Sequence, residues 1–178
     1  MTAMKTERPL AAETRRVGVS RLLLFAGIMA IVVGVGSVGG GIFGAWYTYD
    51  QAVAQNVVTP DDAVIPETPV RGPFTMWAQS DIITHHQLEN TGGLYYAEMD
   101  REVPQLDENG AAVLDENGEA VMVPNEARAS WINATALTTV LGLGIVSYAL
   151  AAFAFTVGLT LSVVGYTFLK IRKRAVLV

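Results

Sequence analysis

Two long uncharged stretches flank a polar middle segment in this chain. No charged residue occurs from Leu22 to Tyr49, and none occurs from Ala129 to Leu169. At ~1.5 Å per residue, a helix of either length exceeds the ~30 Å hydrocarbon core of a bilayer. The pattern predicts two transmembrane helices, residues 21–47 and residues 131–169. The second begins with mixed residues, and we interpret Trp131 as its anchor in the headgroup region.

Charge asymmetry predicts how these two helices are oriented. Basic residues flank the outer ends of both spans: Arg15, Arg16, Arg21, Lys170, Arg172, Lys173 and Arg174. The segment between the spans holds three arginines and 15 of the 17 acidic residues. Because Lys and Arg near a span are retained in the cytoplasm, we expect a multi-pass protein of the cell membrane with both termini cytoplasmic. The tails are residues 1–20, which we expect to be mostly disordered, and residues 170–178; residues 48–130 form an acidic extracytoplasmic domain.

The first span also needs to be distinguished from a signal peptide, since basic residues precede it and small residues lie near its end. A signal peptide has an apolar core of roughly 7 to 15 residues, which is shorter than this span. We therefore interpret it as an uncleaved signal anchor. The chain has no cysteine, so no disulfide stabilises the outer domain.

The outer domain contains one clear helix signal and one clear turn signal. Pro73 follows a glycine and Gly92-Gly93 closes an apolar pattern, which predicts a helix over about residues 73–89. The tandem repeat Leu-Asp-Glu-Asn-Gly starts at Leu106 and again at Leu114. Because Asn-Gly favours tight reversals, the repeat predicts a small β-meander over about residues 103–123. The predicted fold class is membrane α, with two transmembrane helices and a small mixed α/β loop domain.

Small residues at four-residue spacing form a ridge in each predicted span. The ridge of the first span is Gly36, Gly40 and Gly44, and that of the second is Ala154, Gly158 and Ser162. Such spacing places the missing side chains on one helix face, where a second helix can approach closely. We predict that at least one ridge is a helix-packing face. The spacing leaves open whether the packed helix belongs to this chain or to another protein.

Residues that could carry chemistry are sparse. His85 and His86 are adjacent, and Asp81 and Glu89 share a helical face with His85. Such a trio could hold a metal, but a solvated acidic face is the favoured interpretation. No nucleophile stands beside a base, and neither span carries a titratable acid, base or histidine for an ion path. We expect no catalytic residue, no metal, no cofactor and no nucleic-acid partner.

Several segments of the outer domain resemble a known family of small membrane proteins. They are Thr59-Pro60-Asp61-Asp62-Ala63, Val70-Arg71-Gly72-Pro73, Met76-Trp77-Ala78-Gln79, Thr91-Gly92-Gly93 and Tyr96-Ala97-Glu98-Met99. With the two spans, they resemble small actinobacterial two-span membrane proteins labelled aromatic ring-opening dioxygenases. The resemblance covers most of residues 20–168, with the tandem repeat as an insertion. It implies the topology and an actinobacterial origin. Such a dioxygenase needs iron held by histidine and carboxylate ligands, which one histidine pair does not supply, so no activity is carried over.

Three functions remain open at this point. The first is a non-catalytic accessory or scaffolding subunit of a larger actinobacterial membrane complex, with a respiratory supercomplex as the specific hypothesis. Its partners would be the lipid bilayer and other integral membrane subunits, and we expect Phe74, Trp77 and Ile82 to dock on one of them. The second is a self-contained homodimeric envelope module or sensor that binds a cation or a cell-envelope ligand. A metal-dependent enzyme is the third and least favoured.

Overall fold

The structure is a computed structural model that describes residues 7–176 of the chain, with side chains described over residues 18–174. Three α-helices occur in it: α1 (Glu7–Ala54), α2 (Pro73–Asn90) and α3 (Glu126–Val176). A short 3₁₀ turn (Tyr96–Glu98) and the strands β1 (Glu102–Pro104) and β2 (Met122–Pro124) lie between α2 and α3. The chain divides into two compact units, one of residues 1–48 and 147–178 and one of residues 49–146.

Helices α1 and α3 are both long and apolar enough to cross a membrane. This confirms the two helices predicted from the uncharged stretches. Both continue past the predicted spans, because residues 7–20 are helical and α3 runs to Val176. The prediction of a disordered N-terminal tail was therefore wrong for residues 7–20. This segment is rich in alanine, glutamate and arginine, which are residue types that favour helix. Residues 1–6 and 177–178 of the predicted tails lie outside the described residues.

Helix α2 begins at the predicted proline and ends before the predicted glycines. Pro73 occupies its first turn, and the Thr75 hydroxyl oxygen accepts hydrogen bonds from the backbone N–H groups of Arg71 and Gly72 at 3.1 and 3.2 Å. At the other end Gly92 has a φ of 62°, and the N–H of Gly93 donates to the Leu88 carbonyl at 2.7 Å. These bonds satisfy backbone groups that a helix end leaves open. The helix predicted over residues 73–89 is confirmed.

The β-meander is replaced by a two-stranded antiparallel sheet with two loops inserted between its strands. Strand β1 pairs directly with β2, with Val103 opposite Val123. In each loop an aspartate, Asp107 or Asp115, accepts two backbone N–H bonds at 2.8–2.9 Å. Gly110 and Gly118 take positive φ values of 79° and 83°, as a three-residue turn requires. The reversals lie where the repeat predicted them. Each is flanked by one isolated antiparallel bridge, Leu106 with Ala112 and Leu114 with Ala120, and only β1 and β2 form a continuous ladder.

In the unit of residues 49–146, polar side chains bonded to backbone accompany a small core of buried apolar residues. Thr59 is 2% exposed, and its hydroxyl donates to the Ile65 carbonyl at 2.5 Å and accepts from the Thr68 N–H at 2.9 Å. The indole N–H of Trp131 donates to the Leu94 carbonyl at 3.0 Å. Trp131 is 6% exposed, so it is a core residue of this unit and the predicted headgroup anchor was wrong. Burial of the large apolar ring is favourable, and the single N–H donor of the indole is satisfied by one hydrogen bond.

Candidate functional site

Within the first unit, α1 and α3 pack through glycines that recur every seven residues. On α1 these are Gly27, Gly34 and Gly41, and on α3 the matching small residues are Gly165, Gly158 and Ala151. The order of the pairs shows that the helices run antiparallel. Residues seven apart return to nearly the same side of a helix, so the two rows stay in register over several turns. We call this contact the glycine seam.

The two backbones approach so closely at the glycine seam that no side chain fits there. A Cβ atom added at Gly34 would lie 2.7 Å from the Gly158 carbonyl oxygen and 2.5 Å from the Ser162 hydroxyl. A Cβ atom added at Gly165 would lie 2.6 Å from the Gly27 carbonyl oxygen. Helices in lipid gain most of their association energy from such close packing, since water drives no burial there.

The predicted ridge of the second span lies on this seam. Gly158 is one of the small seam residues, and the Ser162 hydroxyl stands against Gly34 while donating to the Gly158 carbonyl at 2.8 Å. Ala154, one turn before Gly158, is half-buried. This ridge therefore packs within the chain, which resolves for α3 the alternative that the sequence left open.

The predicted ridge of the first span faces elsewhere. A Cβ atom added at Gly36 or Gly40 would meet no described atom of another residue within 4 Å, and one at Gly44 would meet only the Ala151 side chain at 3.7 Å. At ~100° per residue, Gly36 and Gly40 lie roughly 160° and 120° around α1 from Gly34 of the seam. We call their side of α1 the open glycine face. Gly44 lies at the margin between the two faces.

Large apolar side chains border the open glycine face along the helix. Met29 and Val32 precede its glycines by one to two turns, and Phe43 and Tyr47 follow them at helical spacing. All four side chains are exposed, at 44–60%. The rings of Phe43 and Tyr47 stack on each other with centroids 6.1 Å apart. The face is thus a shallow notch between bulky groups, a shape that suits a ridge on a second helix.

The glycine seam was not predicted from the sequence, because the predicted packing ridges rest on small residues at four-residue spacing. Gly27, Gly34 and Gly41 are seven apart and so are Ala151, Gly158 and Gly165, and this shared period was the available signal. Two consecutive membrane spans run antiparallel. The shared seven-residue period therefore allows the row on α1 to be aligned with the row on α3 in reverse order. A glycine row alone cannot show which face of α1 packs inside the chain, since several small residues lie on each side.

The predicted docking residues of α2 divide into two groups. Phe74 is 77% exposed and Trp77 is 49% exposed, whereas Ile82 is 5% exposed. Ile82 is buried inside the unit, as are Met76 and Ala78 of the same helix. Its assignment to a docking surface is corrected, because a buried side chain cannot contact a partner. Phe74 and Trp77 remain a pair of exposed aromatic residues on the first turns of α2.

The two histidines contact different carboxylates. Nε2 of His85 lies 3.2 Å from Oε1 of Glu89, and Nε2 of His86 lies 2.6 Å from Oδ2 of Asp62. The hydrogen bond from His86, together with its charge, lowers the pKa of Asp62 below its ordinary value. Over the described residues no group of three or more His, Asp or Glu side chains converges as a metal site. The first contact lies within α2, and the second joins α2 to the segment that precedes it.

The aspartates of the repeat loops carry a related electrostatic signature. The pKa of Asp107 is lowered chiefly by the backbone N–H of Ala111 and then by that of Asn109. The pKa of Asp115 is lowered in the same way by Glu119 and Asn117. Both side chains are fully exposed, so their carboxylates stabilise the loop backbone and no enclosed pocket forms around them.

Among the surfaces that the described residues leave uncovered are the open glycine face of α1 and the aromatic pair Phe74 and Trp77. No protein-family model, curated protein or solved structure matches the chain.

Proposed function

We propose that the protein is a non-catalytic accessory or scaffolding subunit of a larger membrane complex, which it joins through the open glycine face of α1. In this proposal both termini lie in the cytoplasm and the acidic unit lies outside the cell membrane. A second integral membrane protein supplies the helix that fills the notch at Gly36 and Gly40.

The observation that carries the proposal is the division of α1 into two glycine faces. The seam uses one face, which accounts for Gly27, Gly34 and Gly41. Internal packing does not account for Gly36 and Gly40, although glycine weakens a helix by ~1 kcal/mol relative to alanine. A close-packed helix from outside the chain is a physical reason for keeping side chains off that face.

The exposed aromatic pair of α2 adds a second point of attachment. Phe74 and Trp77 present apolar surface on a unit whose charge is strongly acidic. Aromatic side chains are enriched at the centres of protein interfaces, where they bury large areas at low entropic cost. We propose that this pair contacts the extracytoplasmic part of the same partner.

The test is an affinity pull-down of the C-terminally tagged chain from native membranes in mild detergent, followed by mass spectrometry. We expect stoichiometric recovery of at least one other integral membrane protein. A heme absorbance band in the eluate would support the specific hypothesis of a respiratory complex. Recovery of the tagged chain alone, as monomer or dimer, would contradict the accessory-subunit proposal.

A matched pair of variants locates the contact. Gly40→Leu fills the notch, and we expect partner recovery to fall about tenfold, as the loss of 1–2 kcal/mol of helix packing implies. Val35→Leu changes an exposed apolar residue of the same helix outside the notch and should leave recovery unchanged. Equal recovery with both variants would exclude the open glycine face as the contact. A homodimer that only Gly40→Leu disrupts would favour the self-contained envelope module.

A further inference from the structure

Arg172 occupies a position of the glycine seam that small residues fill elsewhere. The small residues of α3 recur at Ala151, Gly158 and Gly165, and the next position of this seven-residue series is Arg172. On α1 the series that includes Gly27 continues back to Ser20. The seven-residue series therefore ends with a long cationic side chain on α3 and a serine on α1.

One donor of the Arg172 guanidinium, its Nε–H, lacks an acceptor among the described atoms. Its Nε atom is withdrawn from solvent and has no hydrogen-bond partner there. A buried donor of a charged group that is left without a partner is costly, by an amount comparable to a lost charge-assisted hydrogen bond. An acceptor from outside the described residues would satisfy this donor.

Other basic residues lie at the same level along the helix pair. Arg21 precedes Gly27 by six residues, and residue 171 follows Gly165 by six, so Arg21 lies level with Lys170 and Arg172 in the antiparallel pair. The basic side chains described at this end are Arg21, Lys170, Arg172, Lys173 and Arg174. Over residues 18–48 and 147–174, which are the described side chains of this unit, the sequence contains no Asp or Glu.

We infer that this end of the glycine seam is a binding site for the phosphodiester headgroup of one anionic phospholipid, with Arg172 as its central contact. The basic residues directly follow the uncharged span that ends at Leu169, which is the depth at which lipid phosphates lie. An arginine presents five donors in a fork that matches phosphate oxygens. Arg21 and Lys170 supply the remaining positive charge. The inference uses the membrane placement of the proposed function but needs no protein partner.

The test measures lipid binding to the purified full chain in detergent, by native mass spectrometry and by the midpoint of thermal unfolding. The probes are phosphatidylglycerol, phosphatidylcholine and inorganic phosphate. We expect phosphatidylglycerol to bind and to raise the midpoint, whereas the other two probes have little effect. An equal effect of phosphatidylcholine would overturn the inference, and the same Arg172-dependent effect from inorganic phosphate would overturn the assignment to lipid.

Three variants separate a specific site from general attraction to a charged surface. Lys173→Ala removes an exposed charge from the neighbouring position and should weaken phosphatidylglycerol binding about fivefold, the contribution of one surface charge. Arg172→Ala should weaken it at least 30-fold, since it also removes charge-assisted hydrogen bonds. Arg172→Lys keeps the charge but not the fork, and binding about tenfold weaker than wild type is expected.

Equal losses from Arg172→Ala and Lys173→Ala would overturn the site, because a diffuse basic surface has no central residue. The unfolding midpoint of each variant in phosphatidylcholine shows whether its helices remain packed. Since no partner protein is present in this assay, its outcome is independent of the pull-down that tests the proposed function.

Discussion

The two faces of α1 carry the same residue type with opposite consequences. At the glycine seam an added Cβ atom would lie within 2.5–3.1 Å of α3, whereas at Gly36 and Gly40 it would meet no described neighbour. The same absence of a side chain is thus a condition of folding on one side and an unused contact surface on the other. The comparison shows that a glycine row predicts close approach without saying which helix approaches.

The largest effect should come from filling the seam. In Gly34→Leu the added side chain meets the Ser162 hydroxyl and the Gly158 backbone, so the helices must move apart. We expect a loss of about 3 kcal/mol in the free energy of unfolding, in the upper range for overpacked sites. Titration with a denaturing detergent in mixed micelles measures it. Gly36→Leu, two residues further on, should change stability by less than about 1 kcal/mol. Equal losses would show that the two faces are not distinct.

A second prediction concerns the unit of residues 49–146, where the buried Thr59 hydroxyl is bonded to the backbone. Thr59→Val leaves the Thr68 N–H without its acceptor inside the unit, and we expect a loss of about 2 kcal/mol. Chemical unfolding followed by tryptophan fluorescence reports it, since Trp77 and Trp131 lie in this unit. The matched control is Thr68→Val, whose hydroxyl makes only an exposed bond to the Pro66 carbonyl. A smaller loss for Thr59→Val than for this control would contradict the role of Thr59.

The smallest effect should be the pH dependence of the repeat loops. Backbone N–H donors lower the pKa of Asp107 and Asp115, so their stabilisation is complete above an ordinary aspartate pKa of about 3.9 and is lost as pH falls through the lower folded value. We expect a carboxyl NMR titration to give midpoints below about 3.9 for both residues. In Asp107→Ala the first loop should lose the protection of its Ala111 amide against exchange, while the second loop serves as the control. Unchanged protection would show that the aspartate does not hold the loop.

Much of the fold was predictable from the sequence because its signals are local. The two uncharged stretches gave α1 and α3, and Pro73 with Gly92 gave the limits of α2. The two loops lie where Asn109-Gly110 and Asn117-Gly118 predicted them. The aspartate hydrogen bonds that close each loop were not predicted. The signal there was the aspartate two residues before each asparagine, whose short side chain accepts backbone N–H bonds.

The rest depended on contacts between distant residues. From the sequence alone, Trp131 is equally consistent with a headgroup anchor. It is buried because the Leu94 carbonyl accepts its indole N–H and the Tyr95 ring stacks on it, with the two ring centroids 5.3 Å apart. Ile82 and Trp77 share one helix and one apolar pattern, yet only Ile82 is covered. An apolar pattern identifies residues that favour burial, but the arrangement of other segments decides which of them are reached.

The most direct measurement of the central claim is site-specific photocross-linking in native membranes. The photoreactive residue p-benzoylphenylalanine replaces Phe43, which borders the open glycine face at 60% exposure, or Phe153, which is 67% exposed on α3. Both are phenylalanines in the same unit, so the replacements are matched in size and chemistry. The account predicts an adduct with another integral membrane protein from position 43 and none from position 153. A protein adduct from position 153 alone, or from neither position, would contradict it.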